Sequence, residues 1–277
     1  MAGVVALVAA ACGGAGSDNT LRVSGSTTVN PIIVDAAETL RPRGLDITVD
    51  TQGGSAGGIA QLGNGEIDVA MSSKPVGDDD RARYPGTDFV ETSVGEDAIA
   101  VVIRSEVYDA GVRDLTKDEV KGLFEGRITN WSELGGPDLA VFVYDKEPGR
   151  GTREVFDTYL YGDEEPPPPP TSPAYAVIGG NEEGRAKTSS TPGAVTILSI
   201  AFVEGQAQLA AVALDGVEPV PASVVNGTYP LSRPLYLVTD GPPEGPSATL
   251  VDFVLSEQGQ ALVADEGYLT LADLGGG

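Results

Sequence analysis

The stretch RVSGSTTVNPIIVDAAETL, residues 22–40, sets three hydroxyls, Ser26, Thr27 and Thr28, between an apolar run and a helical pattern near Pro31. One hydroxyl is enough to cap a helix. Three of them, beside the free N–H groups of a helix start, also describe a place for an anion. The composition recurs three times. GGSAGGIAQL, 53–62, puts Ser55 among four glycines ahead of a helix. DVAMSSKP, 68–75, ends a strand on Ser72 and Ser73. DKEPGRGTREVF, 145–156, brings Lys146, Arg150, Gly151 and Thr152 to another helix start. Glycine leaves backbone N–H groups open to a ligand, and the helix dipole favours negative charge there. Singly, such loops are ordinary caps and turns. Together they describe a cleft that holds a small oxyanion by neutral donors and one or two cations.

Residue counts exclude most other chemistry. The chain has no histidine, the usual general base of serine and cysteine hydrolases. Its single cysteine, Cys12, allows neither an intrachain disulfide nor a multi-cysteine metal site. No catalytic residue, metal or cofactor is expected. Acidic residues number 41 against 17 basic ones, for a net charge of -24, and only five residues are lysine. Nucleic acid calls for a basic footprint, so it is not an expected partner. An acidic, lysine-poor surface keeps a chain soluble and fits a salty environment.

The elements that carry these loops alternate. TLRVSGS reads as a strand, NPIIVDAAETL as a helix, LDITVDTQ as a strand, SAGGIAQLGNGE as a helix, and IDVAMSS and EDAIAVVI as strands. That order predicts a mostly parallel sheet with ligands at the carboxyl ends of its strands. A second α/β unit follows: TKDEVKGLFEG (helix), AVFVYDKE (strand), GTREVFDTYLY (helix) and TPGAVTILSIAFVE (strand-like). RPLYLVT is expected to lead back to the first unit, and one or two helices close the chain. The length suits two domains. The expected divisions are residues 1–20 as signal and tether, 21–100 plus 231–277 as one lobe, and 101–230 as the other. Five prolines at 166–170 predict a stiff surface loop over 163–173. At the amino end, MAGVVALVAAAC followed by GGAGSDNT reads as a secretory segment whose Cys12 becomes the lipidated residue. A plain exported protein is the alternative.

Three further segments carry a resemblance: LTKDEVKGLFEGRITNWSELGG, 115–136, NGTYPLSRPLYLVTDG, 226–241, and LSEQGQALVADEGYLTL, 255–271. With the four loops, they resemble the PstS family, the phosphate-binding proteins of phosphate-specific ABC transporters. The resemblance runs from about Thr20 to Leu271 and is weakest over 161–190. It implies a two-lobed periplasmic-binding-protein fold (type II), each lobe a mostly parallel sheet flanked by helices, with the ligand cleft at the hinge. It implies an extracytoplasmic monomer that is not an enzyme. Such a protein holds inorganic phosphate between its lobes and hands it to permease subunits, touching the membrane only through a lipid anchor. Carried over by position, the donors are Thr27, Thr28, Ser55, Ser72, Ser73, Gly151 and Thr152, with Ser26 beside them.

The chain departs from the family at three places. Where the family often has R-x-x-G-S-G-T, this chain has K-E-P-G-R-G-T, so Lys146 stands for the arginine and Arg150 for the serine. Lysine lacks the bidentate fork of arginine. Arg150 is expected to supply it; the alternative is a pair with Glu147 or Glu154. Some members carry an aspartate where Ser73 stands. A carboxylate there accepts the proton of hydrogen phosphate and repels sulfate. Asp97, in GEDAIAVV, is the expected replacement, the alternative being an exposed turn residue. Lys74 is expected to neutralise Asp78, Asp79 and Asp80 or to pair across the cleft. Rival readings are another oxyanion (sulfate, molybdate, tungstate or arsenate), or a phosphate sensor or adhesion module without transport.

Overall fold

The computed structural model describes residues 19–275. Cys12 and the expected leader lie outside the described residues. The chain begins β1 (Thr20–Gly25), α1 (Asn30–Leu40), β2 (Asp46–Asp50), α2 (Gly54–Gly63), β3 (Val69–Ser72) and α3 (Asp78–Arg83). The long strand β4 (Phe89–Arg104) follows. Next come α4 (Ser105–Asp109), β5 (Asp114–Leu115), α5 (Lys117–Phe124), β6 (Phe142–Lys146) and α6 (Gly151–Tyr161). Then come β7 (Tyr175–Ile178), α7 (Asn181–Ser190), β8 (Ala194–Ser199), β9 (Leu209–Ala211), β10 (Ala213–Leu214) and α8 (Pro221–Val225). β11 (Ser232–Asp240), α9 (Gly245–Leu255), α10 (Glu257–Asp265) and α11 (Leu271–Gly275) end it.

The main sheet runs β2-β1-β3-β11-β4-β8-β6-β7. β1 pairs in parallel with β2 and β3, and β6 with β7 and β8. These are the strands joined by helical crossovers. In the middle, β11 runs antiparallel to β3 and β4, and β4 antiparallel to β8. Parallel order therefore marks the outer strands, and antiparallel order marks the strands that pass between the halves.

Two cores follow from this division. One gathers Val23, Ile32, Ile33, Leu237, Leu250 and Val254. The other gathers Ile103, Leu123, Trp131, Phe156 and Ile197. Each such fully buried aliphatic or aromatic side chain contributes about 1.5–3 kcal/mol. Trp131 also donates from Nε1 to Gly193 O at 2.9 Å, which satisfies its one polar atom. β4 serves both cores, Val94 in the first and Ile99, Val101 and Ile103 in the second. The approach to β11 does the same, with Leu231 in the second core and Leu235 and Leu237 in the first. These two chain passes join the lobes. Residues 166–170 form no regular element. Pro167–Pro170 line a small pocket together with Phe124, Tyr161 and Tyr175.

Candidate functional site

All the candidate residues except Ser72, Asp97 and the undescribed Cys12 line one small cavity. β1, α2 and β3 bring Ser26, Thr27, Thr28, Ser55 and Ser73 from one lobe. β6 and α6 bring Lys146, Arg150, Gly151 and Thr152 from the other.

The first lobe's loops interlock. Ser26 N donates to Met71 O at 2.9 Å, and Ser26 Oγ donates to Ser73 Oγ at 3.0 Å. Ser73 N donates to Ser55 Oγ at 3.2 Å, and the hydroxyls of Ser55 and Ser73 lie 3.3 Å apart. Gly25, at φ 136°, permits the approach of β1 to β3, because a Cβ there would strike Met71 O. The expected hydroxyl cap of α1 is not formed. Its N-cap is Val29, and the N-caps of α2 and α6 are Gly53 and Arg150, all without a side-chain cap bond. The hydroxyls of Ser26, Ser55 and Ser73 are engaged with one another around the cavity. In α2 the Gly54 and Ala56 N–H groups donate to Thr51 O and Gly149 O, whereas α6 brings its first residues, Gly151 and Thr152, to the cavity, where first-turn N–H groups lack helical partners.

In the second lobe Lys146 is 1% exposed. Its Nζ donates to Asn181 Oδ1 at 3.0 Å, and among the described residues no carboxylate stands within ion-pair distance of it. Burial, with the positive charges of Arg233 and Arg150, pushes its pKa down to about 7, against the pull of Glu183 and Asp145. A buried ammonium without a counter-charge is costly, and an anion in the cavity supplies one. For Arg150 the structure shows the alternative reading, a pair with Glu147 made by both Nε and Nη2. Its Nε donates to Glu147 Oε1 at 2.7 Å, and the residue also lines the cavity. Glu154 pairs instead with Lys74, at 2.8 Å across the cleft, and Lys74 also reaches Asp80 at 3.3 Å. Arg153 ties α6 to β6 by binding Asp145 and Asp157, and Tyr175 donates to the same Asp145.

Two candidates are placed elsewhere. Ser72 Oγ donates to Lys74 O at 2.7 Å and so closes its own turn. Asp97 is buried, neither lining the cavity nor exposed in a turn. Its Oδ2 accepts from Arg233 Nη2 at 2.8 Å and Nε at 3.1 Å, and its Oδ1 from Ser199 Oγ at 2.6 Å. Burial raises the Asp97 carboxyl above its ordinary range, opposed by Arg233, Ser199 and the Ile200 N–H. Sequence reasoning missed Arg233 and Asn181. Arg233 is 2% exposed and donates from Nη2 to Thr28 Oγ1 at 3.0 Å. A lone arginine inside the apolar strand LSRPLYLVT was its signal. Asp97→Asn leaves the Arg233 charge unmatched and is expected to lower stability by about 3 kcal/mol. Urea unfolding reads this; unchanged stability with altered anion selectivity would instead make Asp97 a ligand group.

Comparison with known proteins agrees with this fold. Residues 10–258 match the family profile described as PBP superfamily domain. The phosphate-binding protein PstS of Bacillus subtilis is 29% identical over 286 residues, covering 97% of this chain and 91% of that protein. A Clostridium perfringens structure, described provisionally as a phosphate ABC transporter substrate-binding protein with bound phosphate, superposes with a TM-score of 0.79. It is 27% identical and covers 91% of this chain and 99% of that one. An ABC-type phosphate transport receptor from Vibrio cholerae superposes with a TM-score of 0.71 at 25% identity, covering 90% of this chain and 99% of its own. The match spans most of the chain and includes the four loops and both lobes that build the cavity, and on it the chain belongs to the PBP superfamily.

Proposed function

We propose that this protein captures inorganic phosphate between its lobes, outside the cytoplasm, and delivers it to the permease subunits of an ABC transporter. The observation that carries this is the cavity itself: donors from both lobes converge on it, with the buried Lys146 ammonium lacking a carboxylate partner. The similar proteins named for phosphate binding and phosphate transport support the same ligand. Ser26, Thr27, Thr28, Ser55, Ser73, Gly151 and Thr152 are the proposed donors, and Lys146 and Arg150 the cations. Residues 21–100 with 231–277, and 101–230, are the proposed lobes. A ligand that touches both favours the closed state, and the closed, loaded form is what a permease would recognise. No bond of the ligand is made or broken.

Among the described residues no helix is long and apolar enough to cross a membrane. Attachment through lipidated Cys12 is the proposed tether. Mass spectrometry of protein from the native membrane fraction tests it: a diacylglyceryl adduct supports the tether, and an unmodified Cys12 removes it.

The ligand is tested by isothermal titration of phosphate-stripped protein with phosphate, repeated in excess sulfate. Micromolar or tighter phosphate binding is expected; no heat with phosphate would refute the assignment. The net charge of -24 repels phosphate at long range. At about 0.15 M salt the Debye length is about 8 Å, so distant carboxylates are screened while the buried donors are not. Affinity is therefore expected to fall as salt is removed. An affinity that rises steadily would show that the cavity's cations outweigh the surface.

A further inference from the structure

Asn181 opens α7 and is 1% exposed. Its side chain spans the cleft. Oδ1 accepts from Lys146 Nζ at 3.0 Å, and Nδ2 donates to Thr28 Oγ1 at 3.0 Å. With Lys146 protonated, as beside a bound anion, chemistry fixes this orientation, because an ammonium only donates. The amide oxygen must face Lys146, and its NH₂ then faces Thr28. Thr28 Oγ1 accepts a second bond, from Arg233 Nη2 at 3.0 Å, and a guanidinium likewise only donates. A hydroxyl has two acceptor lone pairs and one proton. With both lone pairs engaged, the Thr28 proton must go to a third partner, and Thr28 lines the anion cavity. The hydroxyls of Ser26, Ser55 and Ser73 bond to one another and have no such constraint.

We infer that Asn181 is a positioning residue for the anion: with Arg233 it makes Thr28 an obligatory donor into the cavity, and it holds the Lys146 ammonium alongside. The inference rests on the anion-binding reading above and adds a ligand requirement. The oxygen placed against Thr28 is an unprotonated one. Dianionic phosphate and sulfate both offer such an oxygen, so a ligand proton is excluded from this side of the cavity and has to face the serines.

Asn181→Asp keeps the shape and reverses the logic. A carboxylate only accepts, so Thr28 turns its proton to the new group and away from the ligand. The same carboxylate gives Lys146 a counter-charge, and an acidic residue suits a helix's first turn. Binding and stability should therefore move in opposite directions. Hydrogen bonds to charged groups set the scale. Asn181→Asp is expected to weaken binding of inorganic phosphate about 100-fold without lowering the melting temperature of the ligand-free protein, and Thr28→Val to weaken it about 10-fold.

The decisive reading is the double-mutant cycle. If Asn181 acts through Thr28, the double variant binds about as weakly as Asn181→Asp alone. A loss near the product, about 1,000-fold, would overturn the inference. A parallel cycle with Asn181→Ala decides the matter should the aspartate variant fail to fold. Wild-type protein is titrated with both inorganic phosphate and inorganic sulfate. Binding of sulfate alone would overturn the phosphate assignment and leave the cycle to be read with sulfate. Binding of neither would overturn both.

Discussion

Gly151→Ala should weaken phosphate binding by about 100-fold or more, on the scale at which misplacement by about 1 Å acts on preorganised groups. Gly151 is the first residue of α6 and faces the serines of the other lobe. A Cβ there would stand 2.5 Å from Ser73 Oγ and 2.7 Å from Ser55 Oγ, both on the opposite lobe. Its backbone is not in the left-handed region, so alanine adds no local strain. In a helix alanine is favoured over glycine by about 1 kcal/mol. The ligand-free variant should therefore be at least as stable as wild type while its lobes are held apart. The cleft donors would then no longer converge on one ion. Titration calorimetry reads the affinity, and small-angle scattering with phosphate present reads the separation. Wild-type affinity in this variant would mean that the two lobes do not share the ligand.

Lys146→Met should have a comparable effect on binding and the opposite effect on the ligand-free protein. Removing one partner of a buried charge pair costs about 3–5 kcal/mol, or a few hundredfold or more in affinity. Without an anion the same lysine is a liability. Its folded pKa, about 7, lies below the ordinary lysine value of 10.5. Below about pH 7 the folded protein holds a buried, unmatched charge and the full penalty applies. Between about 7 and 10.5 the unfolded chain binds more protons than the folded one, so stability rises with pH. The slope is at most about 1.4 kcal/mol per unit. Lys146→Met should abolish that slope and raise stability at pH 7. A bound anion should raise the lysine pKa, so phosphate binding at pH 8 draws a proton from solution. Calorimetry in two buffers of different ionisation enthalpy measures it. Identical enthalpies in both buffers, with an unchanged pH–stability slope in the variant, would contradict this account of Lys146.

The parts of the site legible in the sequence were those set by local rules. Small donors and glycines at element boundaries mark Ser26 to Thr28, Ser55, Ser73 and Gly151, and strand–helix alternation places them at strand ends. The rest depends on pairing across long stretches of chain. Asp97 lies directly opposite Arg233 in the β4–β11 register, and that register turns its carboxylate to the guanidinium and away from the cavity. Nothing local to GEDAIAVV reveals it. Asn181 meets Thr28 across 153 residues, and its neighbours Gly180 and Glu182 give no hint of burial. The uncapped start of α1 has the same origin. Ser26 is held beside β3, three residues ahead of the Val29 N-cap, and its Oγ accepts from Thr28 N at 3.2 Å and not from an N–H of the helix. Alternation predicted a mostly parallel sheet, and the outer strands are parallel; the two passes between lobes add antiparallel pairs in the middle, which alternation alone does not reveal.

The most direct test of the central claim is a crystal structure of phosphate-stripped protein grown with one equivalent of inorganic phosphate and no other oxyanion. The arrangement of the four loops predicts a single tetrahedral ion between the lobes. It should lie within hydrogen-bond distance of Thr28 Oγ1 and Lys146 Nζ and of the first-turn N–H groups of α6. An ion bound by one lobe alone, or none between the lobes at full occupancy, would contradict it.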